Sequence, residues 1–198
     1  MNKASSTISY YNENADSYAL LSYYADMSHE YERFLRFLTP SDSIADIGCG
    51  SGKDLKYFSE HGYISYGIDA SEKLCSISKA YSGCKVENCT IAEWNPDMSY
   101  SAFWASASLL HLREDEILSF FSEKSVFLKA NGIIYFSMKE GIREGLDERM
   151  RYFTPYRDEL LQSILDTKKF ELKDIWTSED ALGRTAFKWK SIILQKNR

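Results

Sequence analysis

Three glycines spaced by single residues, Gly48, Gly50 and Gly52, follow directly on the mostly apolar run Ile44 to Ile47. The run predicts a strand, and the glycines a tight loop without side chains at its end. Glycine accepts backbone angles that other residues resist and lets the main chain come within contact distance of a ligand. A nucleotide-like molecule is the expected guest. The dinucleotide pattern G-x-G-x-x-G would need glycine at position 53, where this chain has Lys53. Three glycines after a strand are also ordinary turn chemistry, so the downstream residues decide between the readings.

Residues 53–61 read as a short helix with Leu55 and Phe58 on one face, stopped by Gly62. A second strand, 64–68, ends at Asp69, which places a carboxylate at the tip of a neighbouring parallel strand. Such an acid can accept both hydroxyls of a ribose. It could instead cap the helix expected over 72–80, a task Ser71 would do equally well.

With these residues in place, the chain resembles the class I, Rossmann-like S-adenosylmethionine-dependent methyltransferases, in particular short bacterial ones. Asp46-Ile47-Gly48-Cys49-Gly50-Ser51-Gly52 is similar to their first motif and Asp69 to their ribose acid. Tyr100 to His111 is similar to their fourth strand and following turn, including a Trp-Ala-Ser-Ala-Ser-Leu-Leu-His segment. Gly183-Arg184 followed by Trp189 resembles the ending of the short bacterial members. Ser101 departs from the pattern, since many relatives carry Asp there; the change bears on local packing. The resemblance implies S-adenosyl-L-methionine as cofactor, with Asp46, Gly48, Cys49, Gly50 and Gly52 at its loop and Asp69, Ala70 and Ser71 at the ribose. Glu93 then lies where relatives hold the adenine edge, either as acceptor for the adenine amino group or as an exposed loop acid. Tyr11 and Tyr18 resemble a Tyr-x-x-x-Ala-x-x-Tyr pattern in an N-terminal helix that covers the cofactor; packing on the sheet is the alternative. Aromatic faces suit a site that holds a sulfonium cation.

The element order predicts an α/β three-layer sandwich: a mostly parallel seven-stranded sheet with an antiparallel last strand and helices on both faces. Strands are expected near 43–47, 64–68, 84–88, 101–106, 132–138, 170–177 and 186–195. Helices are expected near 8–24, 28–38, 53–61, 72–80, 114–128 and 155–167, the last begun by Thr154-Pro155. The final two strands are joined too closely for a parallel crossover, hence the antiparallel pairing. Ligands in such sheets bind at the carboxyl ends of the strands. There Ser106, Ala107 and Ser108 would floor the site, and His111 is the candidate general base, or else a pocket-wall residue.

At 198 residues and 44% hydrophobic, with three prolines and no linker or repeat, the chain is expected to form one domain over 1–198, with 1–40 as a helical cover. No run approaches a membrane span and the polar start lacks a signal-peptide core, so a cytoplasmic location and no membrane partner are expected. The spacing of Cys49, Cys75, Cys84 and Cys89 suggests neither disulfides nor zinc. A net charge of −5 argues against bulk nucleic-acid binding. Lys124 to Lys129 with Lys168 and Lys169 is the one basic stretch, read as solvated helix ends rather than a tRNA patch. The acceptor is therefore expected to be a small molecule, shaped for by the N-terminal helices and residues 139–154. A protein or tRNA acceptor, or a non-catalytic cofactor-binding module, are the alternatives. Calorimetry is expected to show binding of S-adenosylmethionine and S-adenosylhomocysteine and none of NAD; the reverse result would contradict the loop reading.

Overall fold

A computed structural model describes residues 3–198. Helices α1 (Lys3–Glu13), α2 (Ala15–Ser22) and α3 (Ser28–Leu35) precede β1 (Ser43–Ile47), α4 (Lys53–Glu60), β2 (Ile64–Asp69), α5 (Glu72–Ser82) and β3 (Lys85–Asn88). There follow β4 (Tyr100–Ala105), α6 (Glu114–Glu123), β5 (Leu128–Glu140), a hairpin of β6 (Gly145–Leu146) and β7 (Tyr152–Phe153), α7 (Asp158–Asp166), β8 (Phe170–Ser178) and β9 (Lys188–Lys196). The main sheet has seven strands in the order β3-β2-β1-β4-β5-β9-β8. Strands β1 to β5 pair in parallel, and β9 runs antiparallel to both β5 and β8. The expected architecture is therefore the observed one. Strand order reverses between β1 and β4, which opens a crevice at their carboxyl ends.

Both faces of the sheet are covered. Phe103, Ile134, Phe136, Ile192 and Leu194 pack with residues of α6 and α7 on one side. On the other, Trp104, Tyr135 and Ile193 pack with Tyr31 and Phe34 of α3 and Phe58 of α4. The alternation follows from the two-residue period of a strand. Strands β1 and β4 are buried at every position, as central parallel strands with both faces covered should be. Trp104 stacks on Tyr135 at 3.9 Å and donates its indole N–H to Asp54 at 2.7 Å, so this large ring is buried with its polar atom satisfied.

Some boundaries differ from expectation. The N-terminal helix is two helices, interrupted at Asn14, whose side-chain amide donates to the Tyr10 carbonyl; short polar side chains of this kind compete with helical backbone bonds. Thr154 does not cap α7, which starts after Arg157; its hydroxyl donates to the Leu112 carbonyl instead and ties the hairpin to the segment after β4. Tyr152 and Phe153, for which no element was expected, are a strand of that hairpin. Ser101 and Ser43 each donate a backbone N–H to the other's hydroxyl, and Lys129 donates to Ser101, so the start of β4 is tied without an acid.

Gly52 caps α4 with φ +79, and a Cβ built there would lie 2.5 Å from Ser78 Oγ and 2.9 Å from Ser78 backbone atoms in α5. The two helices meet at this point because glycine has no side chain. Gly52→Ala is accordingly expected to destabilise the fold by about 1–3 kcal/mol through overpacking and a left-handed φ. Denaturant unfolding checks it; an unchanged midpoint would show that α5 yields freely.

Candidate active site

The loop after β1 is held in place by its neighbours. Gly48 N–H and Cys49 N–H both donate to the Ile68 carbonyl, and Gly50 N–H donates to Asp69 Oδ2 at 2.9 Å. Asp69 Oδ1 accepts from Ser71 N–H at 2.8 Å, while Ser71 Oγ accepts from Leu74 N–H as the cap of α5. Ser71 takes the capping task, which frees the Asp69 carboxylate to face the crevice. Each of its oxygens uses one lone pair on the backbone and keeps another available. Burial raises the Asp69 pKa, opposed by the hydrogen bonds from Ser71 and Gly50.

Asp69 lines a cavity of about 540 Å³, together with Tyr11, Tyr18, Gly48, Gly50, Ala70, Ser71, Leu74, Ile91, Ala92, Ala107, Ser108 and His111. A second cavity of about 330 Å³ adjoins it, sharing Tyr18, Gly48 and Ala107, and adds Cys49, Ser51, Asp54, Ser106, Ser137 and Trp189. Each falls within the size of ordinary small-ligand sites. A Cβ on Gly48 would lie 2.5 Å from Ser108 Cβ, and one on Gly50 would lie 3.2 Å from the Tyr18 ring, so both glycines are needed for the walls to meet. Ser108 Oγ is buried with no hydrogen-bond partner among the described residues, and Ala107 adopts φ +53 with its N–H held by Ser137. A left-handed conformation at a non-glycine residue stores strain, here at the floor of the cavity.

Three residues expected at the ligand line neither cavity. Glu93 is turned into its own loop, where Oε2 accepts from Thr90 N–H and Oγ1; Thr90, Ile91 and Ala92 face the cavity in its stead. Gly52 packs on α5. Asp46 lies buried beneath the loop, where Oδ2 has no hydrogen-bond partner among the described residues. Burial, then Asp54 and Asp69, push its pKa well up. The other expected residues, from Tyr11 to His111, line one cavity or both.

The N-terminal helices close over this crevice through polar contacts that sequence patterning did not reveal. Ser22 Oγ donates to Ser51 Oγ at 2.6 Å, Lys53 Nζ donates to the Ala25 carbonyl at 2.8 Å, and Ser71 Oγ donates to Asn12 Oδ1 at 2.8 Å. Tyr23 stacks on Tyr81 of α5 at 4.1 Å. The Tyr11 and Tyr18 pattern pointed to a cover without indicating these contacts.

His111 sits in the turn after β4. Its Nδ1 lies 2.7 Å from the Tyr152 carbonyl, which can only accept, so the proton is on Nδ1. Nε2 is then the acceptor, and Tyr11 Oη donates to it at 2.8 Å. Burial pulls the His111 pKa down to about 4 and pushes that of Tyr11 up to about 12. Desolvation disfavours the imidazolium.

Residues 44–132 match the family described as methyltransferase domain. No curated protein matches the chain. Among solved structures, the 1,6-didemethyltoxoflavin N1-methyltransferase of Burkholderia thailandensis, with bound 1,6-didemethyltoxoflavin and S-adenosylhomocysteine, superposes with a TM-score of 0.80. The two are 16% identical, over 98% of this chain and 89% of that one. Magnesium protoporphyrin IX methyltransferase from Synechocystis PCC 6803, with bound S-adenosylmethionine, gives 0.76 at 13% identity, over 100% and 98%. The cyclase SpnF also shares the fold, at 0.68 and 18% identity over 86% and 79%, so shape by itself does not fix chemistry.

Nitrogen-15 NMR of the imidazole is expected to show His111 neutral and protonated at Nδ1, with a midpoint near 4. Because the unfolded chain takes up this proton first, at about pH 6.5, the site's contribution to stability is full above that pH and declines towards pH 4. A midpoint at the ordinary value would contradict the desolvated setting.

Proposed function

We propose that the chain, whose residues 44–132 match a methyltransferase domain and whose fold is shared with S-adenosylmethionine-dependent methyltransferases, transfers the methyl group of S-adenosylmethionine to a small-molecule acceptor held between the loop after β1 and helices α1 and α2. One observation carries the site assignment: the Asp69 carboxylate, fixed by Gly50 and Ser71 N–H groups, keeps a lone pair on each oxygen toward the larger cavity. That arrangement suits the two hydroxyls of a ribose. Ala70 and Leu74 on one side and Ile91 and Ala92 on the other make a slot for the adenine, and Gly48, Cys49 and Ser51 lead from the ribose into the second cavity.

When bound, S-adenosylmethionine supplies an electrophilic methyl group on a positively charged sulfur. The protein's own work is alignment and exclusion of water. Ala107 and Ser108 leave a floor without bulk, and Tyr11 and Tyr18, packed edge to face at 5.1 Å, close the opposite side. For an acceptor that carries a proton, His111 acts through Tyr11: the acceptor's proton passes to Tyr11 Oη while the Tyr11 proton passes to His111 Nε2, and the Tyr152 carbonyl steadies the imidazole.

Enclosure of the second cavity by α1 and α2 supports a small acceptor over a macromolecule. The basic stretch offers tRNA little, since Lys124 is spent on the Ala92 and Trp94 carbonyls and Lys169 on that of Ser122. The test incubates purified protein and labelled S-adenosylmethionine with a metabolite extract, a protein fraction and tRNA separately. Label is expected in the metabolite fraction, and Asp69→Ala is expected to weaken S-adenosylhomocysteine binding about 10–100-fold through lost charge-assisted hydrogen bonds. Label in protein or tRNA, or binding without turnover in any fraction, would overturn the small-acceptor reading.

A further inference from the structure

Beside the second cavity stands a cation that the methyl-transfer geometry does not use. Strands β5 and β9 pair Ser137 with Ser191 and Lys139 with Trp189. Alternate residues of a strand share a face, and Ser137, Ser191 and Trp189 line the cavity. Lys139 therefore stands on the same face, next to the lining residue Trp189, without itself lining the cavity. The residue is 8% exposed, and its Nζ lies 4.1 Å from the Phe187 ring centre, 4.3 Å from that of Phe153 and 5.6 Å from that of Trp189.

No acid pairs with this ammonium among the described residues. The nearby carboxylates are already held: Asp147 by Arg151 at 2.7 Å, and Asp180 by Arg184 at 2.6 Å and by the Trp189 indole at 2.8 Å. Ring faces attract a cation, but they offset only part of what an ammonium loses on leaving water. Burial, with Arg151 and Arg184 close by, lowers the Lys139 pKa to about 8, so at neutral pH it remains mostly charged. A second cation stands at the rim. Arg149 lines the same cavity, is exposed, and reaches the Tyr10 hydroxyl at 3.3 Å with no ion pair among the described residues. Leu21 and Leu182 also line the cavity, with much of their apolar surface still exposed, 58% and 38%.

We propose that Lys139, with Arg149 at the rim, binds the carboxylate of the methyl acceptor, whose apolar body lies against Leu21 and Leu182. This rests on reading the second cavity as the acceptor site. A carboxylate fits better than a phosphate because a flat, singly charged group can lie along the Trp189 ring, which lines the cavity, to approach Lys139. The acids Glu179 and Asp180 line the same cavity and would repel a dianion more strongly.

The test uses the full chain saturated with S-adenosylhomocysteine and three probes, benzoate, benzyl alcohol and inorganic phosphate, with binding followed by calorimetry and by the Trp189 indole N–H resonance. Benzoate is expected to bind saturably, about tenfold more tightly than benzyl alcohol or phosphate, and to raise the Lys139 pKa. Lys139→Met and Arg149→Ala are each expected to weaken benzoate about 3–10-fold and leave S-adenosylhomocysteine affinity unchanged. Arg149 is exposed, so its variant keeps the test open should Lys139→Met fail to fold. No benzoate binding at about 50 mM, equal binding of benzyl alcohol, tighter binding of phosphate, or no effect of Arg149→Ala would overturn the inference. Failure of the wild-type chain to bind S-adenosylhomocysteine would instead strike the proposed function beneath it.

Discussion

The absence of three side chains holds this structure together. At Gly48, Gly50 and Gly52 a Cβ would meet the turn after β4, the Tyr18 ring of α2 and the backbone of α5 respectively. One five-residue loop is thus the meeting point of the central sheet, the N-terminal helices and the second βα unit. Only a backbone bare on all sides permits those approaches. The crevice at the strand ends takes its shape from these contacts, and so does the position of Asp69, whose carboxylate is oriented by the Gly50 N–H of the same loop.

Around that loop, polar groups divide into those satisfied by the fold and those left over. Ser71, Ser22 and Lys53 spend their side chains on joining the N-terminal helices to the segments that follow β1 and β2. Asp54 is committed to the Tyr31 hydroxyl and the Trp104 indole. Ser108 Oγ, the spare lone pairs of Asp69 and the ammonium of Lys139 are not so committed, and they stand at or beside the two cavities. Buried polar groups without partners are costly, and their concentration here agrees with a site built to be completed by ligands.

Much of the sheet was legible because its signals are local. Apolar runs bounded by glycines give β1 and β2 almost to the residue, and the short link between β8 and β9 forces their antiparallel pairing. Spacing dictates geometry at Gly48, Gly50 and Asp69, and the structure brings these three together at the crevice. Less was legible where a side chain had two neighbours to choose between: Glu93 turned back to Thr90, the loop-acid alternative, and Thr154 bonded to Leu112 rather than capping α7. The setting of His111 could not be read at all, because its partners Tyr11 and Tyr152 lie far away in sequence and burial is a property of the whole fold.

The hydroxyl that bonds His111 belongs to α1, an element of the covering layer rather than of the sheet. Displacing that helix would uncover the crevice and, in the same movement, release the one hydroxyl bonded to the imidazole Nε2. Opening of the cover and exposure of that nitrogen are therefore a single event: with α1 in place Nε2 is occupied by Tyr11, and with α1 withdrawn it faces the cavity unpartnered.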